Sequence, residues 1–143
     1  MPIIGMNINS IEAVKKGKVE RGLKVKNQTS ITDTVEQDLT GIGKKGLKIM
    51  FEFKTTYLVN DADIASIKMT GEVMYVGDDV ESIKTAWSTN KKLPEQIELQ
   101  VINHVLRRGV TKSLSLSEEL QLPPPIALPF ASKKKADENK YIG

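Results

Sequence analysis

The first half of the chain is a series of long segments in which apolar residues return at every second position. Leu23, Val25, Ile31, Val35 and Leu39 take odd positions, while Lys24, Lys26, Gln28, Ser30, Thr32, Thr34, Glu36 and Asp38 take even ones. Such alternation sets one face of a strand on a core and the other in water. A straight strand from Leu23 to Leu39 would span about 55 Å at about 3.3 Å per residue. A break is therefore expected at Asn27-Gln28-Thr29, where apolar residues are missing. Leu47, Ile49, Phe51, Phe53, Tyr57 and Val59 repeat the odd phase, and Ile67, Met69, Gly71, Val73 and Tyr75 repeat it again. Residues 6–16 read as a first strand: Met6 and Ile8 share one phase, Ile11 and Ala13 the other, which predicts a bulge near Ser10. The turns between strands, around Gly17 to Gly22, Gly41 to Gly46 and Asn60 to Asp63, are too short for parallel crossovers, so the strands should be antiparallel neighbours.

After Gly77 the period changes. Val80, Ile83 and Trp87 lie three and four apart, one face of a helix that Asp78 or Asp79 can cap. Pro94 suits the first turn of a second helix, whose stripe is Ile97, Val101, Ile102, Val105 and Leu106. Arg107 and Arg108 complement the negative end of that helix, and Gly109 reads as its stop signal. Residues 110–119 read as a short third helix. Leu122-Pro123-Pro124-Pro125-Ile126-Ala127-Leu128-Pro129 must be extended, because consecutive prolines cannot continue a helix.

The expected fold class is therefore α+β: a four-stranded antiparallel sheet, arranged as a meander, followed by two or three C-terminal helices and an extended proline-rich segment. At 143 residues the chain has the length of one domain. The reading places that domain at residues 1–130 and a flexible lysine-rich tail at 131–143. The net charge of +3 includes Lys133-Lys134-Lys135 in that tail, so the body is near neutral. Cysteine is absent, which excludes disulfides and thiolate-bound metals and fits a cytoplasmic protein. No apolar run is long enough for membrane insertion.

Candidate chemistry is sparse. Gly41-Ile42-Gly43-Lys44-Lys45-Gly46 has glycines and lysines but lacks the following Ser/Thr and helix of a phosphate loop, and reads as a hairpin loop. His104, the single histidine, has no carboxylate at helical spacing and no nucleophile motif beside it, so it reads as structural. Asp61, Asp63, Asp78 and Asp79 lack the glycine and distal glutamate of a calcium loop and read as turn and cap residues. No catalytic signature appears, and the chain reads as no enzyme, with no cofactor and no metal. Apolar residues on the opposite phase are more informative. Met50, Leu58, Met74 and Val76 fall on even positions of the third and fourth strands, so both faces of those strands carry apolar side chains. A second apolar face implies a partner or a sister subunit, and methionine suits surfaces that accept varied partners.

The arrangement, with Val105-Leu106-Arg107-Arg108-Gly109 closing a helix before a leucine- and proline-rich stretch, resembles the SecB-like chaperone family. The Leu122-Pro123-Pro124-Pro125 ending resembles that of archaeal SecB-type proteins. The resemblance implies a four-stranded antiparallel sheet followed by two helices, usually in a dimer of dimers. It implies an ATP-independent holdase that binds unfolded or nascent polypeptides in apolar grooves and is linked to protein export. It places the polypeptide-binding or oligomer surface at Met50, Leu58, Met74, Val76 and Trp87, with Leu122, Ile126, Leu128 and Phe130 at the rim. The chain departs from that family in charge: its body is near neutral where SecB is strongly acidic, which weakens the expectation of docking to the motor SecA. The expected partners are unfolded or nascent polypeptides and copies of the chain itself, as a dimer or tetramer. The alternative is a ribosome- or RNA-associated accessory protein. It would meet phosphates through Lys15, Lys16, Lys18, Arg21, Lys24 and Lys26 with the C-terminal lysines. Nucleic acid is the less favoured partner, because a charged strand edge explains that cluster equally well.

Overall fold

The computed structural model describes residues 3–39 and 44–126. Four strands, β1 (Ile3–Lys15), β2 (Lys24–Leu39), β3 (Lys44–Val59) and β4 (Ala62–Val76), are followed by helices α1 (Val80–Asn90) and α2 (Glu95–Glu119). The fold is α+β, as the periodicities predict. The strands form one antiparallel sheet in the order β1-β4-β3-β2. Only β2, β3 and β4 make the expected meander. β1 lies beside β4 rather than β2, because residues 16–23 carry the chain across the end of the sheet. That crossing is tied down by the Lys16 and Gly17 backbone N–H groups, which donate to the Ile64 carbonyl. The β3–β4 turn is tight, with positive φ at both Asn60 and Asp61, the twist that suits a two-residue hairpin.

The sheet has four register shifts, and two of them bear on the phase switches of the sequence. In β1 the pairing skips Asn9, between Ile8 and Ser10, which is the bulge expected from the phase switch. In β2 the pairing skips Thr32, between Ile31 and Asp33. Asn27-Gln28-Thr29 is unbroken strand, contrary to expectation, and the irregularity sits three residues later. Since side chains alternate, the surplus Thr32 inverts the phase beyond it. Val25 and Ile31 pack on the core, but Val35 turns to the other face and is 45% exposed. Glu36 turns toward the helices instead, where its carboxylate meets the Lys84 ammonium of α1 and lies 3.9 Å from Lys45. These cations hold the Glu36 carboxyl below its ordinary range.

Both helices cover the face built by the odd positions of β3 and β4. Leu47, Ile49, Phe51, Phe53, Tyr57, Ile67, Met69 and Val73 are essentially inaccessible there, together with Val80 and Ile83 of α1 and Val101 and Val105 of α2. Gly109 does not end the second helix. Helix α2 runs on unbroken to Glu119, taking in the segment expected as a third helix. Its buried residues recur every fourth position, Ile97, Val101, Val105, Gly109, Ser113 and Ser117, and they become small toward the C-terminus. A Cβ on Gly109 would lie 2.9 Å from carbons of the Phe53 ring. One stripe position further on, Ser113 Oγ is 3.4 Å from Thr55 Oγ1, and beyond that Ser117 sits beside the Tyr57 hydroxyl. Four helical residues advance about 6 Å and two strand residues about 6.6 Å, so the two stripes keep step. Gly109 is thus a close-approach residue, and its helical cost is outweighed by contact with the sheet. Gly71 plays a similar part in β4, where an added Cβ would lie 2.0 Å from the Asn7 carbonyl oxygen of β1.

Tyr75, at the end of β4, aims its hydroxyl at the Asp79 carboxylate, 2.9 Å from both oxygens. Asp79 is the N-cap residue of α1 but makes no side-chain capping bond; its carboxylate is committed to Tyr75. Burial of the phenol, reinforced by the neighbouring anion, pushes the Tyr75 pKa up to about 12.

Two outcomes follow. Gly109→Ala gains about 1 kcal/mol of helix propensity but overpacks Phe53 at a cost of about 1–3 kcal/mol. Its net effect should be destabilising, and smaller when Phe53→Leu is present; a denaturant double-mutant cycle reads the coupling. As pH climbs past 10, unfolded Tyr75 loses its proton while the folded one keeps it, so the unfolded state gains. Between pH 9 and 11, Tyr75→Phe should therefore lose about 1 kcal/mol less stability than the parent, measured by urea unfolding at the two pH values.

Candidate functional site

The proline-rich segment leaves α2 and returns across the sheet toward β2. Its first residue inside is Leu122, 7% exposed, whose N–H donates to the Ser117 carbonyl. The Tyr57 hydroxyl then donates to the Pro123 carbonyl at 2.6 Å, and Asn27 Nδ2 donates to the Pro125 carbonyl at 3.1 Å. Lys15 Nζ reaches the Leu120 carbonyl at 3.1 Å. Asn27 Oδ1 in turn accepts from Thr55 Oγ1 at 2.7 Å, and Thr55 faces Ser113 of the helix. A polar chain thus links α2, β3, β2 and the segment. Asn27 and Thr55 interrupt the apolar phase because they receive this polyproline strap. A proline carbonyl needs a donor, and the strap's missing N–H groups leave no donors of their own to satisfy.

Beyond Asn27 the same face of β2 opens into a groove of about 250 Å³. Thr29, Ser30 and Ile31 of β2 form one wall. Trp87 of α1, Lys91, Lys92 and Leu93 of the connector, and Glu98 and Ile102 of α2 form the rest. The connector is held by Lys91, which adopts φ 55° while its N–H donates to the Trp87 carbonyl at 2.8 Å. Its ammonium lies 5.9 Å from the Trp87 ring centre. β2 is an edge of the sheet, so the groove runs beside backbone that no other strand of the described residues pairs. Two groove residues carry polar atoms that are buried without a partner, the Trp87 indole Nε1 and Thr29 Oγ1. Apolar walls and a strand edge that is unpaired among the described residues suit an extended polypeptide, which can add to an edge while its side chains fill pockets. A second, wider groove of about 490 Å³ lies at the opposite edge, between Ile8 to Ile11 of β1 and Arg108 and Lys112 of α2.

The residues singled out from the sequence occupy three places. Trp87 is in the groove wall. Leu122 is buried under the strap, and Ile126, at its end, is 41% exposed; Leu128 and Phe130 lie outside the described residues. Met50, Leu58, Met74 and Val76 are on the uncovered face of the sheet, each partly exposed. Cross-strand register (Met50 with Glu72, Lys48 with Met74) puts Met50 diagonal to Met74, with Val76 next along β4. Val35, turned outward by the bulge, pairs with Lys48 in the same area. Leu58 is eight strand positions from Met50, about 26 Å, and is not part of that patch. The rest of the face is largely charged or hydroxylated, including Lys48 with Glu72 at 3.9 Å and Lys68 with Glu52 at 3.8 Å. The groove residues Ile31, Leu93 and Ile102 were missed as site residues, because spacing identifies Ile31 and Ile102 only as core and Leu93 falls in the connector between the helices. The signal was the polar interruption at Asn27 and Thr29, which marks where the core stops and the groove begins.

Among the described residues no group of three His, Cys, Asp or Glu side chains could hold a metal, and no helix is long and apolar enough to cross a membrane. His104 is half-buried. Desolvation and then Arg108 and Arg107 lower its pKa, and neither charge is of the sign that would orient it as a base. The basic residues of the alternative reading are spread out. Lys24 and Lys26 point from the uncovered face, while Lys16, Lys18 and Arg21 sit in the crossing loop.

No protein-family model matches the chain, and no curated protein matches it in sequence. Among solved structures it is similar to the SecB-like chaperone Rv1957 of Mycobacterium tuberculosis, solved in complex with a ChAD peptide from the Rv1956 HigA1 antitoxin. The two are 14% identical, and the match covers 92% of this chain and 90% of that one with a TM-score of 0.57. At that identity the shared property is architecture: the four-stranded sheet with its two helices is a SecB-like fold.

Proposed function

We propose that this protein is a non-enzymatic, ATP-independent chaperone that holds unfolded or nascent polypeptides, with the β2-edge groove as its principal client site. The observation that carries this reading is the groove itself. Ile31, Trp87, Leu93 and Ile102 line it, and a strand edge unpaired among the described residues runs alongside. An extended client gains main-chain hydrogen bonds from the edge and apolar burial, at about 25 cal/mol per Å², from the walls. Recognition through backbone and generic apolar contact is tolerant of sequence, which a holdase requires. The fold shared with a chaperone that was solved with a bound peptide supports the same reading. The patch of Met50, Met74 and Val76 is a second apolar surface, for a sister subunit in a dimer or tetramer or for the remainder of a long client. Several weak sites on one assembly raise avidity without any one binding tightly. A cytoplasmic location and service to export machinery belong to this reading.

Aggregation suppression with a reduced, denatured client, paired with native mass spectrometry, tests it. Ile102→Asp places a charge in the groove and should weaken client binding about tenfold or more while circular dichroism is unchanged. Met74→Asp, already bordered by Lys48 and Glu72, should keep the fold and reduce subunit number or client capacity. A parent protein that neither suppresses aggregation nor forms a complex with the client in moderate salt would overturn the proposal.

A further inference from the structure

β1 is the other edge of the sheet, and its register decides what stands beside it. Met69 pairs with Phe53 on one side and with Ile11 on the other, so Ile11 ends the row of side chains that runs beneath Gly109 of α2. Ala13 ends the next row, through Ile67 and Thr55, beneath Ser113. Ile11 therefore faces the core side at its margin, and it is 43% exposed. Arg108 and Lys112, each one residue before Gly109 and Ser113, overhang that margin and close the groove of about 490 Å³ over Ile8 to Ile11. Among the described residues no carboxylate forms an ion pair with Arg107, Arg108 or Lys112. Glu12, the acid of β1, lies opposite Lys68 on the uncovered face. One turn back, desolvation and then the Arg108 and Arg107 charges lower the His104 pKa, so the positive field of this helix face is not cancelled locally.

From this we propose that the β1 edge docks an extended segment of another protein that carries two carboxylates two residues apart. The spacing carries the choice. Arg108 and Lys112 are separated by about 6 Å along the helix axis, and alternate side chains on one face of a strand by about 6.6 Å. A strand added beyond β1 sets two successive same-face carboxylates against those cations, and sets the neighbouring side chain of that face on Ile8 and Ile11. From Ser10 to Lys15 the ladder with β4 is regular, so the outer edge of that stretch can accept a short strand through main-chain hydrogen bonds. The bulge at Asn9 ends the stretch and blunts the edge against longer partners. A second copy of β1 fits less well, because it brings its own bulge and its own Arg108 and Lys112 to the same seam. Nucleic acid fits less well too, since phosphates would use the charges and leave Ile11 and the strand edge without a contact. The inference does not rest on the client groove at β2. There recognition is tolerant of sequence, and here charge makes it selective.

The probe is a blocked peptide, Thr-Ile-Thr-Glu-Thr-Glu-Thr, carrying an uncharged fluorophore and read by anisotropy at low salt, with its Gln-for-Glu counterpart as control. The parent should bind the acidic peptide about fivefold or more tighter than the control, with the difference shrinking as salt rises. Arg108→Glu combined with Lys112→Glu should abolish that preference with circular dichroism unchanged, and should transfer it to a Lys-for-Glu peptide, which general damage to the protein would not do. Ile102→Asp, in the β2-edge groove, should leave acidic-peptide binding intact, so this inference and the chaperone reading can fail separately. Acidic and control peptides bound alike, or not at all, would overturn the inference. So would binding lost with Ile102→Asp but kept after charge reversal, which would place the peptide in the other groove. A fall in subunit number on native mass spectrometry of the charge-reversed protein would overturn it in favour of a contact between copies. Tighter binding of a uridine oligonucleotide through Arg108 and Lys112 would overturn it in favour of nucleic acid.

Discussion

The structure depends on a match of two spacings. Helix α2 offers a buried residue every fourth position, and β3 offers one every second, and these distances differ by about half an ångström per step. Over the pairs Gly109–Phe53, Ser113–Thr55 and Ser117–Tyr57 the helix can therefore lie along the strand. Large residues on the strand meet small ones on the helix, so close packing is reached without strain in either. Helix and strand run in the same direction there, and the C-terminal end of α2 is delivered to the place where the strap must start. The buried hydroxyls of Thr55 and Ser113 would be a liability in an apolar core, but each belongs to the chain of hydrogen bonds that ends on Asn27 and the Pro125 carbonyl.

Sequence periodicity carries most of the architecture. Four alternating runs and two helical stripes locate every element, and the phase switch in β1 locates its bulge at Asn9 within a residue. What periodicity misses are features set by tertiary contact. The order of strands depends on where residues 16–23 travel, and short connections alone favour a simple meander. The Thr32 bulge hides because Val35 and Leu39 continue an odd phase that the backbone has already abandoned. Gly109 looks like a terminator because helix propensity knows nothing of the Phe53 ring above it. The site was legible in part. Trp87 and the strap enter as candidates through the family resemblance, whereas Ile31 and Ile102 look like ordinary core and Leu93 like a connector residue until the groove is seen.

The uncovered sheet face shows how mixed character is tolerated. Met50 and Met74 are bordered by charge, and the more exposed of the ion pairs on this face, Lys68 with Glu52, contributes little to stability. Lys54 lies directly opposite Lys68, a like-charge pair that Glu52 partly offsets. Such a face stays solvated without relying on its apolar members for folding. Those members remain open to contact with other chains.

The surplus residue in β2 has a wider consequence for how this strand finds its place. Ahead of Thr32 the odd side chains seek the interior, and after it the even ones do. The strand behaves as two half-strands spliced out of phase, each matched to its own stretch of β3. A slip of one residue would correct the facing of neither half. It would bury lysines in the first and pull Glu36 from Lys84 in the second. A misaligned hairpin is thus penalised twice, and a strand long enough to mispair has an error check written into its own kink.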